Sequence, residues 1–135
     1  MEKWIAGHVT DAYRAPDPKV WTGRTTTPEQ GAQYWYQNVR LQHWSHGPLP
    51  ATNFGIIGYV CEEGVRRNQG RLGAAAGAKV VRERIARLAW HHAGETVTDY
   101  GDVVCIGEAM EAAQAQLALM VSTVIKAGQI PIVLG

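Results

Sequence analysis

The chain has 135 residues, of which 46% are hydrophobic and 19% charged, with a formal net charge of +1. That length suits one domain of roughly 150 residues with a real core, and the composition excludes an intrinsically disordered chain. The near-neutral balance supplies no global field for nucleic acid or an anionic membrane, so neither is an expected partner.

Two cysteines, Cys61 and Cys105, are too few for a disulfide framework and point to a reducing compartment. The opening residues, Met1 to His8, contain no apolar signal-peptide core. No apolar run approaches the ~20 residues that span a bilayer. A cytoplasmic chain is expected.

Residues 1–26 read as an extended arm. Pro16 and Pro18 fix φ and remove backbone donors, and Trp4, Tyr13 and Trp21 would anchor the arm on apolar surface. Residues 27–135 read as a single α/β unit. Thr27-Pro28-Glu29-Gln30 has the form of a capping box with proline at the first helical position, which predicts a helix over 28–42. Phe54 to Val60 is a short apolar run without alternation, the pattern of a strand buried on both faces. A Gly- and Arg-rich loop is expected from Glu62 to about Gly77. Val80, Val81, Ile85, Leu88 and Ala89 then form a helical stripe, with Arg82, Glu83, Arg84 and Arg87 on the opposite side.

Asp102 to Ile106 is a second buried-strand candidate. Met110, Ala113, Leu117, Met120, Val121, Val124 and Ile125 recur at helical steps, and Lys126 and Gly128 mark the helix end. Ile130 to Gly135 is a third apolar strand, with Pro131 tolerable near its start. Helices alternating with strands predict a parallel sheet with helices on its faces, about three strands and three helices in all. With nothing after the third strand to cover it, the sequence is expected to be the first part of a larger α/β domain.

Chemistry concentrates between Glu62 and Gly73. This segment follows a buried strand and precedes a helix, so it lies on the ligand-bearing rim of such a sheet. Arg66, Arg67 and Arg71 offer planar donor forks for a carboxylate or phosphate. Asn68 and Gln69 add neutral donors and acceptors. The same arginines could instead pair with Glu62, Glu63 or nearby carboxylates in a solvated loop. Neither G-x-G-x-x-G nor G-x-x-x-x-G-K-[ST] occurs, which argues against a nucleotide site. His8, His43, His46, His91 and His92 show no metal-ligand spacing. Cys61 stands beside Glu62 and Glu63, whose charges would raise its pKa and argue against a nucleophilic thiolate. Tyr34-Trp35-Tyr36 and Trp44 lack the interleaved basic residues of a base-stacking platform and read as packing residues.

The run Glu62-Glu63-Gly64-Val65-Arg66-Arg67-Asn68-Gln69-Gly70-Arg71-Leu72-Gly73-Ala74 resembles the loop after the first strand of the formimidoylglutamases, in the arginase/agmatinase (ureohydrolase) superfamily. Trp21-Thr22-Gly23-Arg24 resembles their N-terminal W-x-G-R element. Asp99-Tyr100-Gly101-Asp102-Val103 is similar to their second-strand entry. Ile130 to Gly135 is similar to the strand that runs into their Gly-Gly-His-Glu or Gly-Gly-His-Asp element. The resemblance implies an arginase-like, three-layer α/β/α fold, of which residues 27–135 would be the N-terminal part and therefore incomplete. It also implies hydrolysis of N-formimidoyl-L-glutamate to L-glutamate and formamide, in histidine breakdown. Two Mn²⁺ ions would activate the attacking water. The family's metal ligands would all lie beyond Gly135, so no metal and no catalytic residue is assigned here, and the chain alone is expected to be inactive. Arg66, Arg67 and Asn68 are the expected binders of a glutamate-like substrate, with Arg71 structural. A homo-oligomer is expected. The competing expectation is a non-catalytic α/β module that self-associates or binds carboxylates.

Overall fold

The computed structural model describes residues 11–135, so Trp4 and His8 lie outside the described residues. Strands β1 (Tyr13–Arg14), β2 (Val39–Leu41), β3 (Phe54–Val60), β4 (Val97–Val104) and β5 (Ile130–Leu134) form one sheet. Helices α1 (Trp35–Asn38), α2 (Glu63–Arg67), α3 (Gly77–Ile85) and α4 (Met110–Lys126) accompany them, with a 3₁₀ turn at Ala74–Ala76 ahead of α3. β3 is central, parallel to β4 on one side and to β5 on the other. β4 also carries β2 in parallel and β1 antiparallel along its other edge. The chain therefore crosses over β3 between β4 and β5.

Two cores lie on opposite faces of the sheet, as a three-layer α/β/α arrangement requires. On one face Ala113, Met120 and Val124 of α4 meet Ile57, Tyr100 and Val103, with Trp44 closing the end. On the other, Ala86 at the end of α3 meets Ile56, Val97 and Trp21. Adjacent Ile56 and Ile57 thus serve different cores, which is why the β3 run is apolar without alternation.

Several elements differ from the sequence reading. The Thr27–Gln30 capping box does form: the Thr27 N–H donates to Gln30 Oε1 (2.9 Å) and the Gln30 N–H to Thr27 Oγ1 (3.3 Å). It closes a turn and not a helix, because Gly31 follows with φ +70°. Helix forms only over Trp35–Asn38, where the N–H groups of Trp35 and Tyr36 donate to the Leu88 and Ala86 carbonyls. Val39–Leu41, expected as helix, is recruited to β4 as a strand.

β4 begins at Val97, five residues before the expected Asp102. Its Thr98, Asp99 and Asp102 are buried, and polar residues conceal a strand from a hydrophobic pattern. They are tolerated because α3 delivers an arginine. Arg82 Nη2 donates to Asp99 Oδ1 (2.9 Å) and to the Gly101 carbonyl (3.0 Å), and Nη1 to Asp102 Oδ1 (2.5 Å). Trp21 Nε1 donates to Asp99 Oδ2 (2.8 Å), and Arg14 Nη2 to Asp102 Oδ2 (3.0 Å). Arg82 was expected on the exposed side of its helix and is instead 4% exposed, whereas Val80 and Leu88 of the expected apolar stripe are 46% and 55% exposed. The small Ala78 and Ala86 let this face approach the sheet, and Gly58 leaves room for the Arg82–Asp102 pair.

Candidate functional site

β3 and β4 end side by side, with Val60 paired to Val104. Cys61 and Cys105 follow directly, and the Cys105 N–H donates to the Val60 carbonyl (2.9 Å). Beyond these strand ends opens a cleft of about 510 Å³, lined among others by Cys61, Glu62, Glu63, Arg66, Cys105 and Glu108. This is the rim where parallel α/β sheets place ligands.

The expected loop is more ordered than its composition suggests. Glu62 Oε2 accepts the N–H groups of Gly73 (3.0 Å) and Ala75 (3.3 Å), which ties the loop's two ends together and satisfies donors at the start of the 3₁₀ turn. Between them α2 ends in a Schellman pattern: Gly70 N–H donates to Val65 O (2.8 Å) and Gln69 N–H to Arg66 O (3.0 Å). Gln69 occupies the left-handed position at φ +56°, where glycine or asparagine is usual.

Glu63 is the hub of the loop's side chains. It is 5% exposed. Arg66 grips it with Nε to Oε1 and Nη2 to Oε2, both at 2.6 Å, and Arg67 Nε adds a bond to Oε2 at 2.9 Å. The Arg66 hydrogen bonds lead in holding the Glu63 carboxyl down at about 2, against the opposing effect of its desolvation; Arg67 contributes next. The arginines continue to the start of α4. Arg67 Nη1 and Nη2 meet Glu111 Oε1 (2.5 Å) and Oε2 (3.2 Å), Arg67 Nη2 donates to the Glu108 carbonyl (2.9 Å), and Arg66 Nη2 reaches Glu108 Oε1 (3.2 Å). Both guanidiniums are pushed above their usual range, Arg66 chiefly by Glu63 and Arg67 chiefly by Glu111.

The structure thus brings Arg66 and Arg67 together on one carboxylate, while the Asn68 side chain is exposed and makes no hydrogen bond to the described residues. Arg71, read from the sequence as structural, is exposed with no carboxylate partner among them. Glu108 and Glu111 were missed in the sequence. Their signal was available: two carboxylates three residues apart, opening the helix after the second strand of a rim that already carries arginines.

The cysteines also depart from expectation. Burial raises the Cys61 thiol, but its surroundings outweigh that effect and its pKa is lowered, chiefly through the neighbouring Tyr59 hydroxyl, then the Glu63 N–H, the Cys105 thiol and the Gly64 N–H. Sequence proximity to Glu62 and Glu63 had suggested the opposite. Their carboxylates are engaged elsewhere, and the turn into α2 presents amides to the sulfur. The Cys105 thiol is pushed up, first by burial and then by Cys61.

A family model described as the arginase family matches residues 52–135. The chain belongs to the arginase family. Within that family it is 44% identical over 120 residues to the formimidoylglutamase of Chromobacterium violaceum, a match covering 88% of this chain and 37% of that relative. It is 39% identical over 127 residues to the formimidoylglutamase of Geobacillus thermodenitrificans, covering 91% of this chain and 39% of that relative. A third, from Aeromonas hydrophila, is 40% identical over 127 residues, with 93% and 39% covered. This arginase-family chain therefore spans well under half the length of the curated relatives it matches.

The resemblance implies a manganese pair, which needs clustered His, Asp or Glu donors. Among the described residues no group of three or more His, Cys, Asp or Glu side chains is placed to hold a metal ion. His43 and His46 stack on each other with ring centroids 4.1 Å apart, and His92 packs edge-on against Trp35 and Trp90. These are packing roles. The described part of this arginase-family chain does not fit a dinuclear centre. Nor is any of its described helices long and apolar enough to cross a membrane.

Proposed function

We propose that this chain supplies the substrate-carboxylate loop of a formimidoylglutamase, the hydrolase that converts N-formimidoyl-L-glutamate and water to L-glutamate and formamide in histidine breakdown. Arg66 and Arg67 receive the glutamate-like end of the substrate, with Asn68 beside them. The observation that carries this reading is the pair of guanidiniums fixed on buried Glu63 at the carboxyl rim of β3 and β4. Paired forks at such a rim match a carboxylate in shape and charge. The formimidoylglutamase relatives at 39–44% identity support the same choice of substrate.

No step of water activation is assigned here, since the donors among the described residues do not fit the metal pair. The chain by itself is proposed to be inactive, and the full-length protein to be cytoplasmic and Mn²⁺-dependent. The test is steady-state kinetics on the full-length enzyme containing this segment. Arg66→Ala and Arg67→Ala should each raise KM for N-formimidoyl-L-glutamate by about tenfold or more, with a smaller effect on kcat, because a charged partner of the substrate is lost. An unchanged KM in both variants sinks the assignment.

A second reading, a self-associating module, is favoured by one observation. Ile130 and Val133 on edge strand β5 are 60% and 44% exposed.

A further inference from the structure

The two arginines of the rim already hold resident carboxylates. Arg66 and Arg67 face three carboxylates, those of Glu63, Glu108 and Glu111. The cluster therefore carries a net negative charge, which repels an anionic substrate. Its carboxylates differ sharply in setting. The Glu63 side chain is 5% exposed, whereas those of Glu111 and Glu108 are 68% and 80% exposed. Glu63 takes the inner edge of both forks, through Arg66 Nε and Nη2 and Arg67 Nε. Glu111 takes the outer edge of Arg67, both oxygens against both terminal nitrogens, at 2.5 and 3.2 Å. That end-on, two-point contact is the one an incoming carboxylate would make with an arginine.

We propose that Glu111, aided by Glu108, is a resident stand-in for the substrate's carboxylate, and that buried Glu63 is the fixed support that keeps both forks aimed. The inference rests on the substrate-loop reading above and adds a division of labour to it. Releasing Glu63 would leave a buried carboxylate unpaired, so it stays. Glu111 loses only a solvent-screened pair, which is worth at most about a fivefold change in an equilibrium. It swings into water when a carboxylate-bearing amino-acid derivative arrives. Ligands without a carboxylate cannot displace it, so the stand-in also sharpens selectivity. Glu63 is a positioning residue: it acts through the arginines and does not touch substrate.

The two roles predict KM effects of opposite sign. In the full-length enzyme, Glu111→Gln should lower KM for N-formimidoyl-L-glutamate about two- to fivefold, and adding Glu108→Gln should lower it further. In both, kcat should move less than KM. The inhibition constant of free L-glutamate should fall in parallel. Glu63→Gln should raise KM about tenfold or more. Glu95→Gln, at an exposed position remote from the rim, serves as the charge control and should leave KM in place. A KM that rises or stays constant in both Glu111→Gln and the double variant overturns the proposal. These positions are exposed, so the test survives even where Glu63→Gln does not fold. If Arg67→Ala and Arg66→Ala leave KM constant, the underlying substrate-loop reading falls instead. If they raise it while Glu111→Gln fails to lower it, only the stand-in falls.

Discussion

At the rim, chemistry is decided by what each atom can reach and not by which residue stands next in the chain. Cys61 and Cys105 occupy equivalent positions one residue past two paired strands, yet their thiols shift in opposite directions. Burial raises both. Cys61 alone is lowered in return by the neighbouring Tyr59 hydroxyl, which is buried without a hydrogen-bond partner, and by the Glu63 and Gly64 N–H groups. A lowered pKa means that the thiolate appears at lower pH, and the thiolate is the reactive form. Cys61 should therefore alkylate with iodoacetamide at a lower pH than Cys105, read by peptide mass spectrometry across a pH series, and Tyr59→Phe should move its profile upward. The reverse order of labelling would contradict this account. Much of the site was legible at this scale: the arginine forks announce a carboxylate or phosphate partner by their chemistry alone. Glu63 as hub was not, because a glutamate beside arginines reads as a solvated pair until its burial is known. Gln69 in the left-handed region was equally hidden, since sequence favours glycine or asparagine there.

At the scale of elements, sequence patterns succeeded where one partner decides the structure and failed where two must agree. β3 and α4 were legible because each is specified by its own apolar residues against a single sheet. β3 matches its expected bounds, and Ala113, Met120 and Val124 of α4 are buried as its periodicity requires. β4 and α3 were misread together. Asp99 and Asp102 look like loop residues, and Arg82 looks like an outward charge, until the two elements are paired. One guanidinium then serves both aspartates, and each element explains the other's departure from pattern. The same dependence makes Arg82 a stability residue. Arg82→Ala would leave two buried carboxylates with only Trp21 Nε1, the Gly101 N–H and the exposed Arg14 as donors. A loss of about 3–5 kcal/mol is expected, read as a lower urea midpoint. Arg82→Lys should recover part of it, since an ammonium restores charge but cannot fork to both oxygens in plane. An Arg82→Ala midpoint equal to the parent's would mean that the network contributes no net stability.

For the molecule as a whole, both faces of the sheet are clad but its flank is not. β5 pairs with β3 alone among the described strands, so its other edge presents backbone donors and acceptors without a ladder. Ile130 and Val133 are exposed on the same strand, and Ile125 on α4 is 55% exposed. An edge that is both apolar and unpaired is a template for another strand. The curated relatives are more than twice as long as their matched part. A 135-residue chain studied by itself has only its own copies. It should therefore sediment above its 14.8 kDa monomer mass, in a concentration-dependent way. The Ile130→Lys, Val133→Lys double variant should shift it towards monomer, because charge on an edge strand opposes pairing. The cores are formed by Ile56, Ile57, Met120 and Val124, which these substitutions do not touch. Circular dichroism should accordingly stay close to that of the parent chain. A parent chain that remains monomeric at hundreds of micromolar would show that the bare flank is tolerated, and would remove the support for a self-associating module.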